Sequence, residues 1–291
     1  MNKRAIELHL KQKMEKWLES ITDESLRNKV RADLIVTGGS IASMLLQEKV
    51  NDYDIYISNM DTLKALAEYY TFSVEWVQVL DGRKDRWEDI NKWENAWIND
   101  IIIGNIKEDQ IKILFTDKWW CKKIDIEEDK DYQVAFISPN AISLTGKIQI
   151  VLRFNGNADK IHSTFDFVHA TNYFTMEGGL VLRQEALESI VTKQLQYKGS
   201  MYPITALIRI RKFVKRGWKI SAWQILKCAF QVSKLDLEDH KVLEDQLIWV
   251  DVAFFSTLIE ALKEVNPEDI TQEYIFELID QIFEEEHEIE E

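Results

Sequence analysis

The sequence predicts an α+β fold: a head with a mixed β-sheet and flanking helices, followed by an all-helical C-terminal domain. Two observations lead to this prediction. Short runs of β-type residues recur up to residue 183 and then stop, and beyond that point the apolar residues repeat at helical intervals. The 291 residues, 46% of them hydrophobic, supply enough core for two domains of ordinary size.

The head is predicted over residues 1–183, with a helical arm over residues 1–30. Its predicted strands are DLIVT, YDIYIS, SVEWVQVL, IKILF, YQVAFIS, KIQIVLRF, TFDFVHAT and GLVLR. These runs are rich in β-branched and aromatic residues, which favour extended structure. Residues 81–123 form an insertion with five tryptophans, which either stack on bases or a partner or belong to a core.

The C-terminal domain is predicted over residues 184–291. Its helical segments are QEALESIVTKQLQYK, ITALIRIRKFVKR, SAWQILKCAFQVS, EDQLIWVDVAFFSTLIEALKEV and DITQEYIFELIDQIFEE. Pro203 suits the first turn of the second segment, and Gly217 suits its C-terminal cap. We therefore expect this helix to begin and end near these two residues.

Charge is distributed unevenly along a chain whose net charge is −14. Residues 189–234 contain ten Lys or Arg and no Asp or Glu, whereas the last eight residues contain six Glu. A solvated helical face and a surface for a polyanion are both consistent with the basic segment.

Two further observations bear on location. Cys121 and Cys228 lie far apart and match no metal or redox spacing, which is typical of a reduced protein. No apolar stretch is long enough to cross a membrane, and the charged N-terminus lacks the apolar core of a signal peptide. We therefore expect a cytoplasmic protein without membrane contact.

The stretch from DLIVT to IASMLLQEK predicts a strand, a glycine turn and a helix. The turn consists of Gly38, Gly39 and Ser40. Glycines let the backbone approach a bulky anion, and the amides at the start of the following helix point towards it. The Ser40 hydroxyl adds a further donor. This pattern indicates a phosphate-binding turn.

Two aspartates follow in DYDIYI. Alternation along a strand places Asp52 and Asp54 on one face, with Tyr53 and Ile55 on the other. Neighbouring carboxylates repel one another unless a cation lies between them. Mg²⁺ prefers such oxygen ligands and is commonly held by one or two carboxylates together with substrate phosphates. The pair therefore predicts a metal site beside the glycine turn.

These residues resemble the head motif of the polymerase-β-type nucleotidyltransferase superfamily, and most closely that of tRNA nucleotidyltransferases and poly(A) polymerases. The matching positions are Gly38, Gly39, Leu45, Leu46, Asp52 and Asp54. Ala42 and Ser43 stand where that group has Arg-Asp. The resemblance implies an enzyme that uses two Mg²⁺ ions and an NTP, with Asp52 and Asp54 as catalytic metal ligands and the glycine turn at the triphosphate.

A second segment, YPITALIRIRKFVKRGWKI, resembles a later part of the same group. Pro203, Leu207, Arg211 and Gly217 fall in register. This resemblance implies that Arg211 binds the nucleotide and that the neighbouring cations contact RNA; these are Arg209, Lys212, Lys215 and Arg216. Tyr202 and Thr205 occupy positions that help that group to choose the incoming base, so CCA addition itself stays open.

Many superfamily members have a third catalytic carboxylate on a neighbouring strand. In TFDFVHAT, burial of Phe165 and Phe167 would turn Asp166 to the opposite face, where it could join the metal site. The alternatives lie in the charged run KKIDIEEDKDY and are Asp125, Asp129 and Asp131.

The sequence therefore predicts a nucleotidyltransferase that transfers NMP from an NTP to an RNA 3′ end, such as that of a tRNA, and releases pyrophosphate. Transfer to a protein, a small molecule or a second nucleotide is one alternative. A catalytically inactive nucleotidyltransferase-like module that binds RNA or protein is another. The segment FDFVHATNYF also resembles uncharacterised bacteriophage proteins.

Overall fold

The computed structural model describes residues 2–72, 74, 77–84, 106–115, 122–124, 131–237, 242, 246, 274 and 277. The chain divides into two compact units, Met1–Gln194 and Leu195–Glu291. The sequence places the junction earlier, between residues 183 and 184. The boundaries differ because the helix Gln184–Thr192 packs against the helix Gly39–Leu46 of the first unit.

The described part of the first unit contains both helices and strands. Its helices are α1 (Lys3–Ser20), α2 (Glu24–Asp33), α3 (Gly39–Leu46), α4 (Met60–Thr71), α5 (Ala158–His162) and α6 (Gln184–Thr192). Its strands are β1 (Leu34–Thr37), β2 (Tyr53–Ile57), β3 (Val77–Asp81), β4 (Ile111–Phe115), β5 (Lys122–Lys123), β6 (Val134–Ser138), β7 (Ala141–Leu144), β8 (Ile148–Val151), β9 (Tyr173–Thr175) and β10 (Gly179–Val181). Short 3₁₀ helices lie at Thr145–Lys147 and Val168–Ala170.

Eight of these strands form one mixed sheet in the order β10-β9-β1-β2-β8-β7-β6-β5. Strands β2 and β8 run parallel, and β2 pairs antiparallel with β1 on its other side. Strands β3 and β4 form a separate antiparallel pair. The predicted α+β fold with a mixed sheet and flanking helices is confirmed.

One face of this sheet packs into the main hydrophobic core. Val36 of β1 lies opposite Ile55 of β2, and both side chains are fully buried. Helix α1 covers this core with apolar residues at helical spacing, among them Leu10, Met14 and Trp17. The Asn2 side chain caps α1 by accepting a hydrogen bond from the Ala5 amide. The core face therefore fixes which face of β2 carries the aspartates.

The predicted strand TFDFVHAT is wrong. The segment forms a turn and a bend, a single bridge residue at Phe167, and then the 3₁₀ helix Val168–Ala170. Ser163 and Thr164 donate side-chain hydrogen bonds to the carbonyls of Lys160 and Ile161. Such local bonds compete with strand pairing and hold the chain in a turn.

The described part of the second unit contains α7 (Pro203–Lys215) and α8 (Ala222–Val232). Two-residue strands lie at Gln194–Leu195 and Lys219–Ile220. Helix α7 begins at Pro203 and is followed by Gly217 with φ +80°, as the sequence predicts. The two later helical segments predicted from the sequence lie largely outside the described residues. Within the described part of the chain, no helix is long and apolar enough to cross a membrane.

Candidate nucleotide and metal site

In the glycine turn, Gly38 lies between the last residue of β1 and the first residue of α3, and Gly39 and Ser40 begin the helix. Gly38 has φ +92° and ψ −154°, a backbone conformation that side chains rarely adopt. A Cβ at this position would lie 2.6 Å from Oδ2 of Asp54. The Gly38 amide donates a hydrogen bond of 3.1 Å to the Ala170 carbonyl. Gly38 is therefore required both by its backbone conformation and by the close approach of a carboxylate.

Asp54 is the second residue of β2, and Asp52 lies just before the strand. Tyr53 and Ile55 are buried in the core, so the two carboxylates lie on the opposite face, as alternation predicts. Asp54 is partly buried and pairs across the sheet with Thr37 of β1 and with a residue of β8. Asp52 is exposed. The two carboxylates thus face an accessible end of the sheet.

The first turn of α3 lies directly beside Asp54. A Cβ at Gly39 would have no atom within 4 Å, so the space in front of this turn is open. Ser40 is 3% exposed, and its Oγ has no hydrogen-bond partner among the described residues. The first amides of a helix also lack partners within the helix. This turn therefore presents several donors to a space next to a carboxylate.

A hydrogen-bond network holds the end of β1 in place. The Thr37 hydroxyl lies 2.8 Å from Nε2 of His162 and 2.8 Å from the Asn172 carbonyl. The hydroxyl carries one proton, and the carbonyl can only accept it, so we assign the proton on His162 to Nε2. All three side chains are buried. These hydrogen bonds connect the segment 162–172 to β1, the strand that leads into the glycine turn.

Sequence reasoning missed this network. Thr37 and His162 are 125 positions apart, and neither belongs to a recognisable motif. Two further side chains lie close to the segment 162–172. The Arg183 guanidinium lies 5.7 Å from the centre of the Tyr173 ring. Because Tyr173 lies opposite Thr37 in the sheet, these groups belong to the same face as Asp54.

The other side of β2 is also supported by specific contacts. The Tyr53 hydroxyl lies 2.7 Å from Nε2 of His9, and burial raises the pKa of Tyr53 above its usual value. Lys147 donates a hydrogen bond of 2.7 Å from Nζ to the Val50 carbonyl. Lys147 lies directly before β8. This hydrogen bond therefore ties the loop that carries Asp52 to the start of β8.

Asp166 is not on a strand, contrary to the prediction from its flanking phenylalanines. It lies in a bend and is 5% exposed. The Phe165 ring packs on Tyr56 at 5.9 Å, and Tyr56 lies on the same face of β2 as Asp54. No three Asp, Glu, His or Cys side chains come together as a metal site in the part of the chain that the structure describes. A role for Asp166 as the third ligand stays a prediction.

The structure describes only some of the other positions that the sequence singles out. Asp125, Asp129 and the five tryptophans of the insertion lie outside the described residues. Asp131 is exposed, in the turn before β6. Ala42 and Ser43, which replace an Arg-Asp pair of the resembled group, are both buried in α3.

The predicted nucleotide- and RNA-binding cations of the second unit lie on α7 and directly after it. Arg211 is exposed, and so are three of the four predicted RNA contacts: Lys212, Lys215 and Arg216. Arg209 is partly buried. Thr205 is buried and donates a hydrogen bond from its hydroxyl to the Gln246 carbonyl.

Comparison with known proteins gives a family and a set of similar folds. A family model described as "Gad2: Gabija anti-defense 2 family protein" matches residues 8–193. A curated protein named "Gabija anti-defense 2", from Bacillus phage SPbetaL7, is 22% identical over 158 residues. This alignment covers 53% of the present chain and 38% of that protein, so the chain matches well under half of its relative.

Solved structures with a similar arrangement include the Thermotoga maritima CCA-adding enzyme in complex with tRNA, at 13% identity and a TM-score of 0.37. The Bacillus stearothermophilus CCA-adding enzyme in complex with CTP has 12% identity and a TM-score of 0.35. These alignments cover 80% and 81% of the present chain and 50% of each enzyme. These identities and TM-scores describe a likeness of fold alone.

Proposed function

The chain belongs to the Gabija anti-defense 2 family, and we propose that it acts as a metal-dependent nucleotidyltransferase. The proposed reaction transfers NMP from an NTP to an RNA 3′ end and releases pyrophosphate. In a family described as Gabija anti-defense 2, this activity would act against a Gabija defence.

One observation carries the proposal: the glycine turn is packed against the Asp54 carboxylate. The antiparallel pairing of Thr37 with Asp54 brings residue 38 next to this carboxylate. Here a Cβ at residue 38 would lie 2.6 Å from the carboxylate oxygen, while the space in front of Gly39 is open. A carboxylate and a set of phosphate-binding amides side by side are compatible when a cation is shared between them.

The residues present fit Mg²⁺ held together with a triphosphate. Asp52 and Asp54 supply hard oxygen ligands, and two carboxylates with substrate phosphates are a common coordination set for Mg²⁺. Bound Mg²⁺ would lower the pKa of the attacking hydroxyl and offset charge on the departing pyrophosphate. Asp166 as a further ligand is an additional part of the proposal, and neither the turn nor the Asp pair depends on it.

The chain's own groups then have distinct tasks. The amides at the start of α3 and the Ser40 hydroxyl, which is buried without a partner among the described residues, donate to the phosphates. The network of Thr37, His162 and Asn172 keeps β1 and the turn in register with Asp54. Positioning of this kind contributes to catalysis because the reacting groups no longer have to be ordered during the reaction.

RNA is the acceptor that the second unit supports best. Arg211 is proposed to contact the nucleotide, and the exposed cations Lys212, Lys215 and Arg216 to contact RNA phosphates. Their positive charge contrasts with a chain whose net charge is −14.

Family membership favours a second candidate: nucleotidyl transfer to a protein of the Gabija system. The chemistry at Asp52 and Asp54 would be the same, and only the acceptor would differ. Modification of a defence protein would connect the activity directly with the family name.

Label transfer decides among these acceptors. The full-length protein is incubated with Mg²⁺ and each labelled NTP, together with a tRNA lacking its CCA end, bulk RNA or the Gabija proteins. We expect label on RNA with the wild type and no label with the Asp52→Asn, Asp54→Asn double variant. Asp109→Asn, an exposed carboxylate in the loop before β4, is the control and should retain activity.

Label on a Gabija protein instead of RNA would select the second candidate. Equal incorporation by the wild type and the double variant would contradict the proposed function. Isothermal titration of the wild type with each Mg-NTP tests the inactive alternative, since an inactive binding module without a nucleotide site would give no heat.

A further inference from the structure

Helix α8 exposes an apolar surface that the proposed reaction does not use. Trp223 is 74% exposed, Leu226 is 44% exposed and Phe230 is 62% exposed. Their spacing of i, i+3 and i+7 places them on one face of the helix. We call these three residues the aromatic stripe. Large apolar side chains grouped on a surface commonly mark a binding site.

The orientation of α8 is fixed by its opposite face. Gln224 accepts a hydrogen bond of 3.0 Å from the Tyr197 amide, and Gln231 accepts one of 3.0 Å from the Ser200 amide. Cys228, between them, is fully buried. Since both glutamines are bound to backbone amides, α8 cannot rotate to bury the aromatic stripe without breaking these bonds.

Exposed lysines lie on α8 and on the helix that packs against it. Lys227 is exposed on α8 itself, and Lys212 and Lys215 are exposed on α7, which packs against α8. The sequence has no Asp or Glu from residue 189 to residue 234. Protein interfaces are depleted in lysine, whereas surfaces that bind single-stranded nucleic acid combine cations with exposed aromatic rings.

We propose that the aromatic stripe binds single-stranded RNA, with bases stacked on Trp223 and Phe230 and phosphates contacted by the surrounding lysines. A single strand is required because the base faces of a duplex are hidden within its stack. The inference rests on the proposed function only where it identifies the bound strand with the acceptor. Binding itself requires no catalysis.

The experiment separates stacking from apolar docking. Binding of the full-length protein to a fluorescein-labelled single-stranded RNA is measured by fluorescence anisotropy at low and moderate salt. Trp223→Leu with Phe230→Leu keeps apolar side chains but removes both rings, and should weaken binding about tenfold or more. Trp223→Tyr with Phe230→Tyr keeps two rings and should bind within about twofold of the wild type.

Ile225→Ala is the matched control, since Ile225 is 42% exposed on the same helix and lies outside the stripe. Its affinity for RNA should be unchanged. Absence of RNA binding by the wild type at low salt would overturn the proposal. Wild-type affinity in the leucine variant would overturn it as well, and would indicate docking of an apolar protein surface instead.

Failure of this inference is distinguishable from failure of the proposed function. Heat on titration with Mg-NTP, without RNA binding, would reject the aromatic stripe as an RNA site and leave the nucleotide site standing. RNA binding that the leucine variant loses, without label transfer or nucleotide heat, would reject the catalytic proposal and support the aromatic stripe.

Discussion

The sheet end around Asp54 and the surface of helix α8 are built in opposite ways. At the sheet end, the side chains that hold the site are buried, and Thr37 and His162 bond to groups far away in the sequence. On α8, the large side chains of the aromatic stripe project into solvent, and only the far face of the helix is fastened. The sheet end holds its polar groups in fixed positions, whereas α8 leaves its large apolar side chains exposed to a ligand.

This difference follows from what each region is proposed to do. Transfer chemistry requires reacting groups held to within fractions of an ångström, which favours burial and hydrogen bonding. A surface for a flexible strand has to accept varied conformations, which favours exposed rings and mobile lysines. Substitutions at the sheet end should therefore change rate and stability, whereas substitutions on α8 should change affinity alone.

The variant with the largest expected effect should lower nucleotide incorporation and leave the affinity for RNA unchanged. Asp52→Asn with Asp54→Asn should lower nucleotide incorporation about a thousandfold or more, because the hard oxygen ligands are lost. Single-stranded RNA affinity of the same variant should stay within about twofold of the wild type. Anisotropy and label transfer on one preparation test both statements. A parallel loss of RNA affinity would show that the two regions are not independent.

Gly38→Ala should have the next largest effect. The new Cβ would lie 2.6 Å from Asp54 Oδ2, at a residue with φ +92°. We expect a loss of about 2–3 kcal/mol in the free energy of unfolding, together with lower activity. Gly39→Ala is the control, since its Cβ meets no atom within 4 Å. Urea denaturation measures the free energy of unfolding of both variants. Equal losses in this free energy would show that the close approach of residue 38 to Asp54 is unimportant.

Thr37→Val tests the network behind the turn. The substitution keeps the shape of the side chain but removes the hydroxyl shared by His162 and the Asn172 carbonyl. Loss of buried bonds should cost about 1–3 kcal/mol of unfolding free energy. Thr71→Val is the matched control, because the Thr71 hydroxyl donates to the Ala67 carbonyl within its own helix. Equal costs would contradict a special role for the network.

The smallest expected effect concerns acid stability away from the site. Asp81 is fully buried, and its hydrogen bonds with Arg83 lower the pKa of the Asp81 carboxyl below its ordinary value of 3.8. A lowered pKa stabilises the fold above the unfolded-state pKa, and this stabilisation is lost as the pH falls through the folded-state pKa. Because Arg83 is partly exposed, Arg83→Ala should cost only about 1 kcal/mol at neutral pH.

Unfolding measured as a function of pH tests this statement. The difference between Arg83→Ala and the wild type should be constant near neutral pH and should shrink below pH 3.8. Arg31→Ala provides the comparison, since the Glu15 partner of Arg31 is 30% exposed and should contribute less. A difference that grows in acid would contradict the assignment.

Sequence patterns were sufficient wherever an element is defined by its own residues. β1, β2 and α3 follow from an apolar run, an alternation and a glycine turn, and α7 follows from Pro203 and Gly217. Composition and alternation were insufficient for three other segments of the first unit. The segment TFDFVHAT has strand composition, yet Ser163 and Thr164 bond locally and the segment turns. Strands β7 and β9 were not predicted, because four and three residues carry little periodicity.

The order of turn, helix and paired carboxylates can be read from the amino-acid sequence, because each depends on local backbone preference and on the alternation of a strand. Three contacts and exposures depend instead on the folded molecule: the approach of Gly38 to Asp54, the bond of His162 to β1, and the outward position of the aromatic stripe. These contacts join residues far apart in the chain, or depend on which face of a helix its neighbours bury. Such choices follow from packing and hydrogen bonding across elements, which no local pattern encodes.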